Sequence, residues 1–471
     1  MIYTIQTNNN DLPVYRGNLS VMDINIPTPD RQEIEQLAEK AKAMLAENRN
    51  ELFTKPSASQ YPHQWSWDAA FIAIGYSHYD QQLAEQEFRH LFSGQWKNGM
   101  IPHIVFSDSN DNDGNYFPGP DFWQTERSNK APASPRTSGI CQPPIHATAL
   151  WLHLENAADK ERAKEFASEM FPKLNDWHNY LKENRDLYNE GLLFIRHPWE
   201  SGQDNSPTWD EPLERIDLSS IQLPEYRRKD LHHVDNEQRP TNQDYDHYIY
   251  LVDFFRQRNY DENKITDDDC PFMMQDVLFN TLYCKANRDM AKIAEEIGED
   301  PEPFRKQADK TASAVDSKLW DEEHDMYIDY DLRSDKQIHA HILSGFIPLF
   351  AGIPDADRGQ RMFDYLNTSC FCRLEDTCFA APSYDRSGPG YSSSKYWRGP
   401  VWINMNWLLS IGLDKYGYHE YAEQIRNTIV NLPREEGFCE YYDPDTGKCY
   451  GTKKFSWTAA LLLDVLYRYR L

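Results

Sequence analysis

Residues 197–210, HPWESGQDNSPTWD, set Glu200 and Asp204 four positions apart between Trp199 and Trp209, with Pro198, Gly202 and Pro207 interrupting regular structure. A comparable setting recurs late in the chain, where GFCEYYDPDTG places Glu440 between Phe438 and the pair Tyr441–Tyr442. Apolar neighbours desolvate a carboxyl and raise its pKa, which general acid–base chemistry exploits. Hydrolysis of a glycosidic bond asks for two carboxyls across a sugar, aromatic faces for its C–H groups and polar side chains for its hydroxyls. Asp204 and Glu440 are 440 − 204 = 236 residues apart, so the fold must carry their two loops to one mouth. Glu200 reads as a structural hydrogen-bond partner for the Asp204 loop, with a charge that would help keep Asp204 protonated. Glu440, taken alone, is equally a salt-bridge partner. No phosphate loop, nucleophile elbow or HExxH motif is present.

Further clusters surround these acids. QYPHQWSWDAAF (60–71) puts Trp65 and Trp67 before a helix whose first turn carries Asp68, where a carboxylate suits the helix dipole. GNYFPGPDFW (114–123) precedes GICQPPIHA (139–147), in which Gln142 either points at what the loops enclose or caps the next helix. EQRPTNQDYDHYIY (237–250) offers Arg239, Tyr245, Asp246 and Tyr248. A guanidinium pairs bidentately with a carboxylate, so Arg239 is suited to an anionic ligand group, or to a protein acid such as Asp246. SGPGYSSSKYWRGPVWINMNW (387–407) runs from a Gly/Ser segment into Tyr396 and Trp397. That segment reads as a movable lid or as a surface loop.

The 471 residues suffice for one large α-barrel or for two to three domains. Net charge is 49 − 75 = −26, and the resulting field opposes nucleic acid and anionic lipid. No secretory signal is visible, and no apolar run approaches the ~18 residues of a membrane span. The eight cysteines form no regular framework, so reduced thiols and a cytoplasmic location are expected. Cys370, Cys372 and Cys378 lack the further ligands a zinc site needs. Asn18 and Asn367 match glycosylation acceptors that mean little without a secretory signal.

Helical periodicity must position these groups. After Asp30, which with Glu33 spells a capping box, Ile34, Leu37, Ala38, Ala41 and Leu45 form an apolar stripe. Similar stretches fall near 67–79, 81–93, 144–157, 160–183, 241–258, 271–298, 301–320, 338–350, 356–366, 400–416, 418–431 and 454–469. Tight turns imply antiparallel neighbours. Segments 94–142, 184–240 and 367–399 are long, rich in Pro, Gly and Trp, and suited to function. Hairpins are expected at YNEGLLFIRH (188–197) and DMYIDYD (325–331). The whole reads as a single toroidal α/α barrel, all-α apart from these hairpins, with a two-domain helical protein as the alternative.

The segments ESGQDNSP, QWSWDAAF, RPTNQDYDHY, YWRGPVWINMNW and FCEYYDPDTG…FSWTAAL together resemble glycoside hydrolase family 63, and within it the mannosylglycerate and glucosylglycerate hydrolases. The resemblance covers the chain from about residue 30 onward. It implies an (α/α)6 barrel over 30–471 behind an N-terminal extension of 1–29, with long loops and hairpins at the active-site end. It also implies an inverting α-glycosidase that needs neither metal nor organic cofactor. On the matching motifs, Asp204 falls at the general acid and Glu440 at the general base. Tyr61, Trp65, Trp67, Asp68 and Gln142 fall at the sugar site, and Arg239, Tyr245, Tyr396, Trp397, Trp402 and Tyr116 at the aglycone side. The expected ligand is a small glycoside, with glucosylglycerate or mannosylglycerate foremost, a trehalase-like disaccharide next, and homo-oligomerisation left open. Gln203 departs from the residue that relatives often carry before the acid. Two rivals remain: a sugar epimerase relying on paired histidines (His146, His232, His233, His339 and His341 are available), and a sugar-binding relative without catalysis.

Overall fold

The computed structural model describes residues 29–107, 116–231, 234–267, 269–374 and 376–471. The expected N-terminal extension, His232 and His233 lie outside them. The longer helices are α1 (Arg31–Asn48), α2 (Ser66–Tyr76), α3 (Gln81–Ser93), α4 (His146–Asn156), α5 (Lys160–Arg185), α6 (Asn242–Gln257), α7 (Val277–Ile297) and α8 (Glu302–Lys318). After the one-turn α9 (Pro348–Ala351) come α10 (Ala356–Leu366), α11 (Ile403–Lys415), α12 (His419–Glu436) and α13 (Ser456–Arg468).

Contacts between helices close a ring. α2 packs on α4, α4 on α7, α7 on α9, α9 on α11, α11 on α13, and α13 back on α2. Outside this inner circle α1 lies against α13, α3 against α2, α5 against α4, α8 against α7 and α12 against α11. Apart from α6, inner and outer helices alternate along the chain, and the six inner helices form the ring of the (α/α)6 toroid.

The residue patterns explain which helices go inside. Every residue of α2, SWDAAFIAIGY, is buried, as is every residue of α13 from Ser456 to Leu466. A helix flanked by ring neighbours on two sides and an outer helix on a third must be apolar nearly all round. Outer helices keep one apolar stripe: α10 buries only Gly359, Met362 and Leu366. The ring is tight where α2 meets α13, since a Cβ on Gly75 would lie 2.6 Å from Ala460 Cα. The Asp30–Glu33 capping box forms as expected and starts α1.

Three local expectations are corrected. Segment 338–350 is not one helix: 338–342 is extended, Ile342 bridges Tyr384, and a 3-10 turn at Leu343–Phe346 leads into α9. Segment 188–197 forms no hairpin; Ile195 bridges Met274, and the Asn280 amide satisfies the backbone of Leu193. The hairpin near 325–331 does form, with Trp320–Asp321 pairing Met326–Tyr327. Reduced thiols are the third. Cys372 is joined to Cys378, and Cys439 to Cys449 across the hairpin Cys439–Tyr442/Cys449–Lys453. Both pairs have Cα atoms under 6 Å apart, at 5.9 and 5.7 Å, so the cysteines no longer argue for a reducing compartment. No helix among the described residues is long and apolar enough to cross a membrane.

Candidate active site

The loop bearing Asp204 is held by its neighbours rather than by regular structure. A 3-10 turn, Pro198–Ser201, opens on proline and ends at Gly202, whose φ of +71° favours glycine. A Cβ there would stand 2.5 Å from the Trp67 indole, so Gly202 also lets the ring slide under the loop. Beyond it, the Trp209 indole donates to Gln203 O (2.8 Å), Tyr248 OH to Asp204 O (2.7 Å), and the Trp397 amide to Asn205 Oδ1 (3.0 Å). Ser344 Oγ, from the turn before α9, donates to Gln203 Oε1 at 2.6 Å. Four separate segments thus fix three consecutive residues.

Glu200 supports this loop from below. It is fully buried and accepts two 2.8 Å bonds from Arg185, one of 2.7 Å from the Arg196 amide and one from the Cys141 amide. Burial pushes its pKa up, but the facing Arg185 outweighs that and brings it down to about 2. The structural role expected for Glu200 holds. Its expected electrostatic help to Asp204 does not, because Arg185 neutralises its charge. Asp204 owes its shift to other groups. Burial pushes it up to about 7, with Arg239 pulling down and the like charges of Glu440 and Asp230 pushing up. Asp204 is half-buried and lines the cavity described below.

Glu440 comes from the hairpin before α13 and is 1% exposed. Four donors converge on its carboxylate: Tyr61 OH at 2.7 Å, the Thr452 amide at 2.9 Å, and Arg239 through Nη2 at 2.8 Å and Nη1 at 3.3 Å. Gly451 faces it across the hairpin with φ +66°, and a Cβ there would collide with Glu440 Oε2. Arg239 therefore has the protein-carboxylate partner that the sequence leaves open, but it is Glu440 and not Asp246, which accepts from Tyr226 OH instead. The guanidinium also donates to Tyr61 OH (2.8 Å), lies over the Tyr396 ring at 4.6 Å, and leaves Nε unpaired.

One cavity receives all these groups. Asp204 and Glu440 line it together with Asp68, Gln142, Arg239, Tyr61, Trp65, Trp67, Tyr116, Tyr245, Tyr396, Trp397 and Trp402, so the structure gathers every candidate residue. Asp68, in the first turn of α2, is held far above the ordinary carboxylate range by burial, with Glu440 and Asp204 adding repulsion. Gln142 resolves its two readings at once: it faces the cavity and accepts from the Trp67 amide (3.3 Å), capping α2 rather than the helix that follows it. The aromatic wall is a stack, with Trp397 and Trp402 parallel at 3.8 Å and Tyr441 behind Trp402 at 4.7 Å. Trp65 meets Tyr61 and Tyr116 edge-on at 5.2 and 5.1 Å.

The Gly/Ser segment is pinned in this structure. Ser392 N donates to Arg398 O, Gly399 N to Ser383 Oγ, and Arg398 pairs with Asp210.

Residues 61–458 match the family model described as the mannosylglycerate hydrolase MGH1-like glycoside hydrolase domain. A mannosylglycerate hydrolase of Rubrobacter radiotolerans is 48% identical over 438 residues, 93% of this chain and 98% of the relative. The chain belongs to glycoside hydrolase family 63. It is a glycoside hydrolase. A glucosylglycerate hydrolase of Mycolicibacterium hassiacum is 35% identical over 92% of this chain and 98% of its own length. A solved family 63 mannosylglycerate hydrolase from Thermus thermophilus, in complex with Tris and D-glycerate, superposes with a TM-score of 0.83 at 40% identity, covering 91% of this chain and 99% of that one.

Of the histidines an epimerase could use, the three described ones stand away from the cavity, while His232 and His233 lie outside the described residues. His146 is buried in the core, bonded to Ser66 Oγ at 2.9 Å and pushed down to about 3 by burial; neither it, His339 nor His341 lines the cavity. Sequence reasoning missed Gln60, His103, Trp199, Lys229, Asp230, Phe455 and Trp457 as cavity residues. Trp199 and Trp457 carried the same aromatic-loop signal as their neighbours. Lys229 and Asp230 sit in a charged run, YRRKD, with no mark to separate them from a solvated face. Structure separates them: Asp230 is tied to Arg228 at 2.6 Å and its carbonyl to Gln60 at 3.0 Å, folding the run over the cavity mouth.

Proposed function

We propose that the chain hydrolyses an α-glycoside of glycerate, mannosylglycerate or glucosylglycerate, by a single displacement that inverts the anomeric carbon. The observation that carries this reading is that Asp204 and Glu440 line one aromatic-walled cavity, one carboxyl raised to about 7 and the other gripped by four donors. Asp204, which a pKa raised to about 7 leaves substantially protonated at neutral pH, delivers its proton to the glycosidic oxygen as the bond breaks. Glu440 removes a proton from the water that attacks the opposite face, which calls for a carboxyl separation of ~6.5–9.5 Å. Asp68 and Gln142 hold sugar hydroxyls, with burial favouring the protonated form of Asp68, which can donate as well as accept. Trp65, Trp67, Trp397 and Trp402 give the ring flat apolar faces.

Arg239 does not wait as a free anion receptor, because its Nη atoms already serve Glu440 and Tyr61. The glycerate carboxylate is met by Lys229, which lines the cavity and pairs with no carboxylate among the described residues. Tyr116, Tyr245 and Tyr396 complete the aglycone side. The mannosylglycerate and glucosylglycerate hydrolase names of the relatives, and the D-glycerate complex of the Thermus enzyme, support this choice of aglycone.

A release assay on mannosylglycerate, glucosylglycerate, trehalose and kojibiose, followed by proton NMR, tests the proposal. Turnover of a glycerate-linked substrate with β-anomer appearing first is expected. Appearance of α-anomer first overturns inversion, and preference for trehalose overturns the acidic aglycone.

A further inference from the structure

A second constellation stands apart from the cavity, built from two of the histidines that the glycosidase leaves unused. Asp321, at the end of a strand, and His324, in the following turn, meet His341 from the extended segment before α9. One ligand-capable atom from each of the three lies within 4.8 Å of the other two. The His324 and His341 rings are 4.4 Å apart between centroids, and His324 Nδ1 is 2.7 Å from Asp321 Oδ2. His339 joins from the side, its Nδ1 3.2 Å from the same Asp321 oxygen and its ring 5.8 Å from that of His324.

We propose that Asp321, His324 and His341 form a binding site for a divalent transition cation, zinc foremost, with His339 or water as fourth ligand. Imidazole nitrogens with one carboxylate select Zn2+-like cations over Mg2+ or Ca2+, which take oxygen ligands. Metal–ligand bonds of about 2.1 Å put tetrahedral neighbours roughly 3.4 Å apart. The side chains of His324 and His341 are 31% and 20% exposed, so small ring rotations close the remaining gap. An outer shell is already in place. Tyr365 OH donates its one hydrogen to Asp385 Oδ2 (2.8 Å), so His341 Nδ1–H donates to the Tyr365 oxygen (2.7 Å). That tautomer leaves the His341 Nε2 lone pair free for a cation, the arrangement that outer-shell partners of metal-bound histidines impose.

The site would brace the 320–327 hairpin against the segment leading to Ser344, whose hydroxyl holds Gln203 beside Asp204. The cation is a clamp behind the catalytic loop and takes no part in the reaction.

The test is calorimetric titration of the full, chelator-treated chain with zinc chloride, alone and as His324→Ala and His341→Ala. One saturable site per chain is expected, with affinity falling by more than about 100-fold in each variant, beyond the 10–100-fold that loss of an outer-shell partner brings. No saturable uptake, or uptake by either variant equal to that of the unaltered chain, overturns the proposal. Cobalt chloride on the unaltered chain gives a readout that needs no variant. Intense tetrahedral visible bands with shifted imidazole protons support the site, and an aqueous spectrum refutes it. Glycoside turnover is expected to persist in both variants, which shows that they fold and keeps this test separate from that of the catalytic assignment.

Discussion

On the proposed assignment, Asp204 sets the pH behaviour of the site. An acid must be protonated to act, so turnover should fall as pH rises through about 7, the value to which burial brings this carboxyl. Its linkage to stability has the same direction. The folded pKa lies above the unfolded value, the folded state binds the proton more tightly, and stability declines between about pH 4 and 7. Asp204→Asn is therefore expected to lower kcat by about 10²–10⁴-fold while raising the melting temperature at pH 8. Pre-steady-state rates and thermal unfolding of the same variant check both halves, and an unchanged kcat would remove Asp204 from the acid role. The acids and indoles of this cavity were legible in sequence because a carboxyl among large aromatics, flanked by breakers, makes poor sense as a plain connection. The pairing of Arg239 with Glu440 was not, because the two lie 201 residues apart and either could have taken a nearer partner.

The hairpin Cys439–Tyr442/Cys449–Lys453 is the element on which the proposed base, Glu440, depends. Gly451 keeps the space that Glu440 Oε2 occupies, and the Thr452 amide next to it fixes that same oxygen. Gly451→Ala should push the carboxylate aside and lower kcat on the order of 10–100-fold, as an ångström-scale misplacement does, with the substrate's KM far less affected. Steady-state kinetics with an unaltered circular dichroism spectrum would show it. Among elements, the long amphipathic helices were legible to within a few residues at each end, since their buried stripes repeat at the helical period. The inner helix at 338–350 misled because a helix in the middle of the ring is short here: an extended run satisfies its backbone against Tyr384, and only one turn of α9 remains. A continuous apolar pattern does not distinguish those cases.

At the scale of the molecule, the net charge of −26 surrounds a cavity proposed to receive an anion. The long-range field opposes approach, whereas Arg239 and Lys229 act only within the mouth, where salt screens them less. Raising ionic strength should therefore increase kcat/KM for a glycerate-linked substrate and leave that for a neutral α-disaccharide unchanged. Initial rates across a salt series read this directly, and a fall for the glycerate substrate would place the dominant attraction outside the cavity. That the helices form one ring was legible from their number and tight turns. The stacking of the loops over its mouth was not, since YRRKD reads as ordinary surface until Gln60 and Arg228 are seen to hold it.

The contact between α2 and α13 joins segments nearly four hundred positions apart. α2 is made long before α13, and with every one of its faces meant for burial it waits for the helix that completes its surroundings. Glu440 is made just ahead of α13, so this carboxylate and the helix that closes the ring become available together. Until then the nascent polypeptide carries an open arc of greasy helices.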